Sequence, residues 1–144
     1  MNRINIICLG VRDLVASRKF YRDGLGFATP CNEADPKIVF FDNGGTKLEL
    51  YPLQGLAEDI DAANPPVPAG GFSGITLAYN AKTKEEVDAV FAQIESIGGT
   101  IAKMPETVFW GGYSGYFRDP DGYHWEVAYS DQWRFDANDM LIIE

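Results

Sequence analysis

Two glutamates stand in the same local setting far apart in the chain, in Leu48-Glu49-Leu50 and in Trp125-Glu126-Val127. Side chains along a strand alternate between faces, so each glutamate points away from the apolar residues beside it. A carboxylate presented in this way can accept a ligand's hydrogen bond, move a proton, or contribute to a metal site. His124, the single histidine, lies two residues before Glu126 and shares its strand face. The stretch Trp110-Gly111-Gly112-Tyr113-Ser114-Gly115-Tyr116 offers a second kind of chemistry. Its glycines let the backbone bend or approach a ligand closely, and Trp110 and Tyr113 can stack on a flat apolar molecule. The plainer reading is a β-bulge with core aromatics. Tyr116 is expected to pair with Trp125 on the core face, across a four-residue turn at Asp119-Pro120-Asp121-Gly122.

The thiols are less promising. Cys8 lies in an apolar run and reads as a small core residue, although a first-strand position can also line a ligand site. A catalytic thiol needs a nearby base, and the chain has one imidazole to offer. Two cysteines, Cys8 and Cys31, make no disulfide framework.

The elements that position these residues come from periodicity and breakers. Ile4 to Val11 reads as a strand, and Leu14 to Asp23 as a short helix capped by Asp13 and ended by Gly24 and Gly26. Phe20 and Tyr21 fit helix-to-sheet packing. Phe27 to Cys31 and Lys37 to Phe41 are expected strands, and Asp42-Asn43-Gly44-Gly45 is a hairpin turn leading into Thr46 to Tyr51. Leu56 to Ala62 is a candidate helix, and Asn64 to Gly71 has the Pro/Gly composition of a linker. The pattern then restarts. Gly74 to Tyr79 is a strand, and Thr83 to Ile97 a helix with a Thr83–Glu86 capping box. Thr100 to Lys103 begins another strand, and Trp110 to Phe117 pairs with Tyr123 to Tyr129. Trp133, Phe135 and Met140 to Ile143 form an apolar tail, expected to pack on the body or on a second subunit.

The composition sets outer bounds. At 144 residues, 46% hydrophobic and 13% aromatic, the chain can bury the core of one ordinary domain. The expected organisation is one domain over 1–144, with modules at about 1–63 and 72–130 and a tail at 131–144. A net charge of −9 excludes nucleic acid and anionic membrane surfaces as expected partners. No apolar run reaches the length of a membrane span. Met1-Asn2-Arg3-Ile4 does not open a signal peptide, so a cytoplasmic location is expected.

Several motifs carry a family resemblance. Leu9-Gly10-Val11-Arg12-Asp13-Leu14, followed by Lys19-Phe20-Tyr21 and Leu25-Gly26-Phe27, resembles the opening of the vicinal oxygen chelate superfamily. This is the group of glyoxalases, bleomycin-resistance proteins and extradiol dioxygenases. Gly115-Tyr116-Phe117-Arg118-Asp119-Pro120-Asp121-Gly122-Tyr123-His124-Trp125-Glu126-Val127 resembles its closing hairpin. The resemblance implies an α+β fold of two tandem βαβββ modules whose mixed sheets curl into a cup. It also implies a homodimer.

Metal-using members take ligands from the first and fourth strands of each module. Those positions fall here on Ile6, Glu49, Gly74 and Glu126. Both carboxylates are present and neither imidazole is. Two carboxylates leave at most a weak, hydrated site suited to Mg²⁺ or Ca²⁺, so no firm cofactor is expected. Dioxygenase chemistry, which uses ligand histidines, is disfavoured. Two glutamates in one cup would repel, which would raise the pKa of one and suit it to act as a general base or as a hydrogen-bond partner for a bound ligand. Ion pairing of the glutamates with Lys47 or an arginine is the plainer alternative. The resemblance therefore implies either a binder of a small hydrophobic or aromatic molecule, or a lyase or isomerase using Glu49 and Glu126. The ligand-contacting candidates are Ile6, Cys8, Thr76, Trp110, Tyr113 and His124.

Overall fold

A computed structural model describes residues 2–143. Met1, with which the N-terminal reading began, and Glu144, the end of the tail, lie outside the described residues. The chain divides into two compact units, Met1–Ser73 and Gly74–Glu144. Among the described residues, no helix is long and apolar enough to cross a membrane.

In the first unit, β1 (Ile6–Val11) leads into α1 (Leu14–Lys19) and one π-helical turn, Phe20–Gly24. The Asp13 carboxylate accepts from Ala16 N at 2.9 Å, as an N-cap should. β2 (Val39–Phe41) and β3 (Lys47–Pro52) follow, then α2 (Leu53–Ile60). The sheet order is β1-β3-β2, with β1 parallel and β2 antiparallel to β3. Leu9, Val11, Val39, Phe41, Leu48 and Leu50 are buried, and so are Phe20 and Tyr21. Tyr21 stands 5.2 Å from Phe20 and 5.7 Å from Phe41 between ring centroids. Burying a side chain of this size contributes about 2 kcal/mol.

The expected strand at Phe27–Cys31 is absent, and the first sheet has three strands. Pro30 has no N–H for a ladder, and Cys31 N donates to the Thr29 hydroxyl instead of to a neighbouring strand. Phe27 keeps its core role, 5.5 Å from Tyr21 and 5.8 Å from Phe41. The buried Arg18 ties this irregular segment to α1 by donating to Glu33 O and, at 3.7 Å, to Cys31 Sγ. The second helix starts at Leu53, earlier than expected. Leu53 and Leu56 lie over Gly10, where a Cβ would come within 2.7 Å of Leu53 Cδ1.

In the second unit, β4 (Thr76–Ala81) precedes α3 (Lys84–Gln93), β5 (Thr100–Thr107), β6 (Tyr113–Arg118) and β7 (His124–Tyr129). The sheet order is β4-β7-β6-β5. Only β4 and β7 run parallel; the other pairs are antiparallel. Thr83 caps α3 by accepting from Glu86 N at 3.1 Å. Glu86 reaches back to Lys82 N, one residue short of the expected box. Val87, Phe91 and Ile94 form the buried stripe, and Phe91 meets Phe117 edge-on at 6.2 Å. The helix ends before Ile97, because Gly99 N bonds back to Ile94 O and closes the last turn. β5 is longer than expected and carries register shifts either side of Lys103, with Pro105 in the irregular part. The tail folds back on itself, with Phe135 bridged to Leu141 and Lys82 ion-paired with Asp139.

Candidate functional site

The alternation expected around both glutamates holds. Leu48 and Leu50 are buried on one face of β3, while Lys47, Glu49 and Tyr51 are half-buried on the other. Trp125 and Val127 are buried on one face of β7, and His124 and Glu126 lie on the opposite one. Each glutamate therefore sits in a row across its own sheet. In the first unit, Glu49 stands between Cys8 on β1 and Phe40 on β2. In the second, Glu126 stands between Ala78 on β4 and Tyr116 on β6, with Lys103 of β5 beyond Tyr116.

The flanking residues supply protons. The Cys8 thiol lies directly across from Glu49, and its pKa is pushed up to about 11. Partial burial is the main cause; the neighbouring Glu49 adds to it. The Tyr116 phenol lies directly across from Glu126 and its pKa is also raised, first by burial and then by the neighbouring Glu126. A protonated thiol or phenol set across from a carboxylate can serve it as a donor.

Two expectations are corrected by these rows. Cys8 is half-buried on the Glu49 face, not in the core, because Leu9 and Val11 occupy the core-facing positions of β1. Tyr116 pairs with Glu126, and Phe117 takes the place opposite Trp125, stacked at 6.2 Å. The cause is the hairpin loop. It runs from Asp119 to Tyr123, with the Asp119 carboxylate accepting from Asp121 N and Tyr123 N. One residue more than the expected turn shifts the register by one, which moves Tyr116 to the other face.

The remaining candidates separate. Thr76 pairs with His124 and shares the Glu126 face. Ile6 shares the Glu49 face, one position along from Cys8. Gly74 precedes β4 with φ +78°, and the β4 residues on the Glu126 face are Thr76, Ala78 and Asn80. Tyr113 lies on the α3 side of its sheet, where its hydroxyl donates to Asp88 at 2.8 Å and Lys84 sits 5.5 Å over its ring. Trp110 stacks on Trp133 at 5.8 Å and folds over Gly112, where a Cβ would lie 1.8 Å from its ring. The close backbone approach expected of these glycines is thus taken up by the chain's own indole. A hollow of about 220 Å³ opens in the first unit between α2 and Pro66-Val67-Pro68, lined only by apolar side chains.

The donor set does not fit the metal centre that the fold family implies. Ile6 and Gly74 carry no ligand atom, nor does Ala78 beside Glu126. Among the described residues, no three His, Cys, Asp or Glu side chains gather so as to hold a metal ion. The residue missed from sequence was Tyr116, and the length of the Asp119 loop was the signal that would have found it.

With this geometry in place, comparison with known proteins decides the family. The model of the Glyoxalase/Bleomycin resistance protein/Dioxygenase superfamily matches residues 3–127. The chain belongs to this superfamily. A glyoxalase-related enzyme from Fulvimarina pelagi superposes with a TM-score of 0.87 at 30% identity, covering 99% of both chains. Lactoylglutathione lyase from Agrobacterium tumefaciens gives a TM-score of 0.66 at 29% identity, over 94% of this chain and 99% of that one. The uncharacterized protein YraH of Bacillus subtilis (strain 168) is 29% identical over 116 residues, 80% of this chain and 88% of its own. The superfamily's α+β pattern is the one described above: two mixed sheets, of three and four strands.

Proposed function

We propose that this superfamily member binds a small hydrophobic or aromatic molecule, without a metal, against its glutamate-bearing strand faces. The observation that carries the reading is the strand register, which sets Cys8 directly across from Glu49 and Tyr116 directly across from Glu126. A firm transition-metal site needs about three protein ligands. Here each carboxylate has a phenol or thiol beside it and no imidazole on the neighbouring first strand. Such a carboxylate serves as a hydrogen-bond acceptor that orients a ligand. Ile6 and Phe40, exposed on the Glu49 face, supply apolar contact area.

A panel of aromatic compounds tests this by thermal shift and by Trp110 fluorescence, in chelator. A ligand at a hundred times its Kd stabilises by about 2.7 kcal/mol, a shift of several degrees. If no compound raises the melting temperature, the proposal fails.

The likeness to lactoylglutathione lyase favours a second reading, a lyase or isomerase that moves protons with Glu126 and Glu49. It predicts that any such turnover collapses in Glu126→Gln while the fold is kept. Unchanged turnover would remove that role. For either reading we propose a cytoplasmic homodimer. Phe72, Val67 and Ile143 expose large apolar surfaces that a partner copy would cover, and light scattering reads the mass directly.

A further inference from the structure

We propose that Cys31 is a modification site, the thiol of this chain that exchanges with small disulfides, with the Arg18 guanidinium as its charge partner. The chemistry does not involve the two glutamates. Both cysteines are free and half-buried, but their neighbours differ in charge. Cys8 lies across from Glu49. Cys31 Sγ accepts a hydrogen bond from Arg18 Nη1 at 3.7 Å. Reactive cysteines sit in electropositive, partly exposed surroundings, and of the two thiols Cys31 has both. Pro30, Asn32 and Glu33 beside it are exposed, so a small reagent can reach the sulfur.

Arg18 projects from α1 and is only 8% exposed. Its Nη1 donates to the backbone carbonyl of Glu33 as well as to the Cys31 sulfur, and its Nε is buried and meets no acceptor. Neither partner is a carboxylate. Asp23, in the π-helical turn that follows α1, is ion-paired with Arg22 at 2.6 Å. A guanidinium taken out of water without an anion is costly, and an anion formed beside it offsets that cost. Cys31 can become that anion as it reacts. In the exchange, Cys31 gives its proton to water and its thiolate attacks one sulfur of the disulfide. A bond forms from Cys31 to that sulfur as the disulfide's own S–S bond breaks. The other half leaves as a thiolate with the electron pair and takes up a proton. The Cys31 sulfur is oxidised and the leaving sulfur is reduced, so the exchange balances without a further reagent. Negative charge is spread over the reacting sulfurs at the transition state, and Arg18 stands beside one of them.

The aromatic disulfide dithiobis(nitrobenzoate) tests this, because the thiolate it releases is coloured. It is mixed with the folded full-length chain at neutral pH, and colour release and the mass of the adduct are followed. One equivalent is expected in a fast phase that Cys31→Ser abolishes and Cys8→Ser keeps. In Cys8→Ser, the folded chain is expected to react about threefold faster, or more, than the same chain unfolded in urea. Arg18→Met removes the charge and keeps an apolar stem, and is expected to slow the fast phase about tenfold. Arg18→Lys keeps a cation and is expected to stay within about threefold of the parent. Circular dichroism checks the fold of each variant. A fast phase that survives in Cys31→Ser would overturn the assignment to Cys31. A folded chain that reacts no faster than the unfolded one would overturn the activated site, whether or not Arg18→Met folds. Equal rates in folded Arg18→Met and the parent would overturn Arg18 as the charge partner.

Discussion

A thiol held beside a carboxylate resists losing its proton, and Cys8 shows the consequence in measurable form. Its pKa of about 11 predicts slow alkylation at neutral pH, with a rate that climbs only as pH approaches that value. In Glu49→Gln, on a Cys31→Ser background, the midpoint should fall toward the ordinary 9.0; an unmoved midpoint would detach Cys8 from Glu49. Because the fold favours the S–H form, the stability contributed by Cys8 is present below pH 9 and is lost as pH rises through about 11. Gly112 gives a second test at this scale. A Cβ there would lie 1.8 Å from the Trp110 ring, so Gly112→Ala must drive the indole off Trp133. The expected result is loss of the stacked-indole signal in near-ultraviolet circular dichroism and a destabilisation of about 1–3 kcal/mol. Retention of that signal would contradict the packing. The glycine pair was visible in the sequence as a place of close approach. That the Trp110 indole is the group that approaches was not, because its place is fixed by stacking on Trp133, which arrives from beyond β7.

At the scale of elements, caps and alternation were legible and loop lengths were not. Asp13 and Thr83 accept the bonds that their spacing predicted. Thr83→Ala removes one of them at an exposed helix start, and urea unfolding should register a loss of about 1 kcal/mol. A much smaller loss would mean that Glu86, bonded to Lys82 N and Tyr79, holds the helix start without Thr83. Glu49 and Glu126 could be placed on faces from period-2 patterning alone, since their neighbours are strongly apolar. Tyr116 could not, because one residue in the Asp119 loop decides its face. The missing strand at Phe27–Cys31 has a similar origin. Its apolar residues suit a strand, but Pro30 and the Thr29 hydroxyl take the backbone out of ladder geometry. The Cys8–Glu49 pair depends on the register of two parallel strands far apart in sequence, for which local pattern carries no information.

For the molecule as a whole, the same arrangement occurs in both units: a parallel pair of strands, a glutamate on the second of them, and a donor on a neighbouring strand. The donor comes from the parallel partner in one unit and from the antiparallel partner in the other. The opening and closing motifs were enough to point to the superfamily, and the match over residues 3–127 establishes it. They could not say what stands beside the two glutamates, because strand register sets Cys8 and Tyr116 there and both lie outside the superfamily's ligand positions as the sequence placed them. We propose that these glutamates serve as acceptors for an organic ligand and not as metal ligands. The most direct test is the affinity of the best ligand from the aromatic panel, measured by calorimetry in chelator and again with one equivalent of Zn²⁺, Mn²⁺ or Mg²⁺. The expected result is the same Kd within about twofold in every case. Binding that disappears in chelator and returns with one equivalent of metal would contradict it.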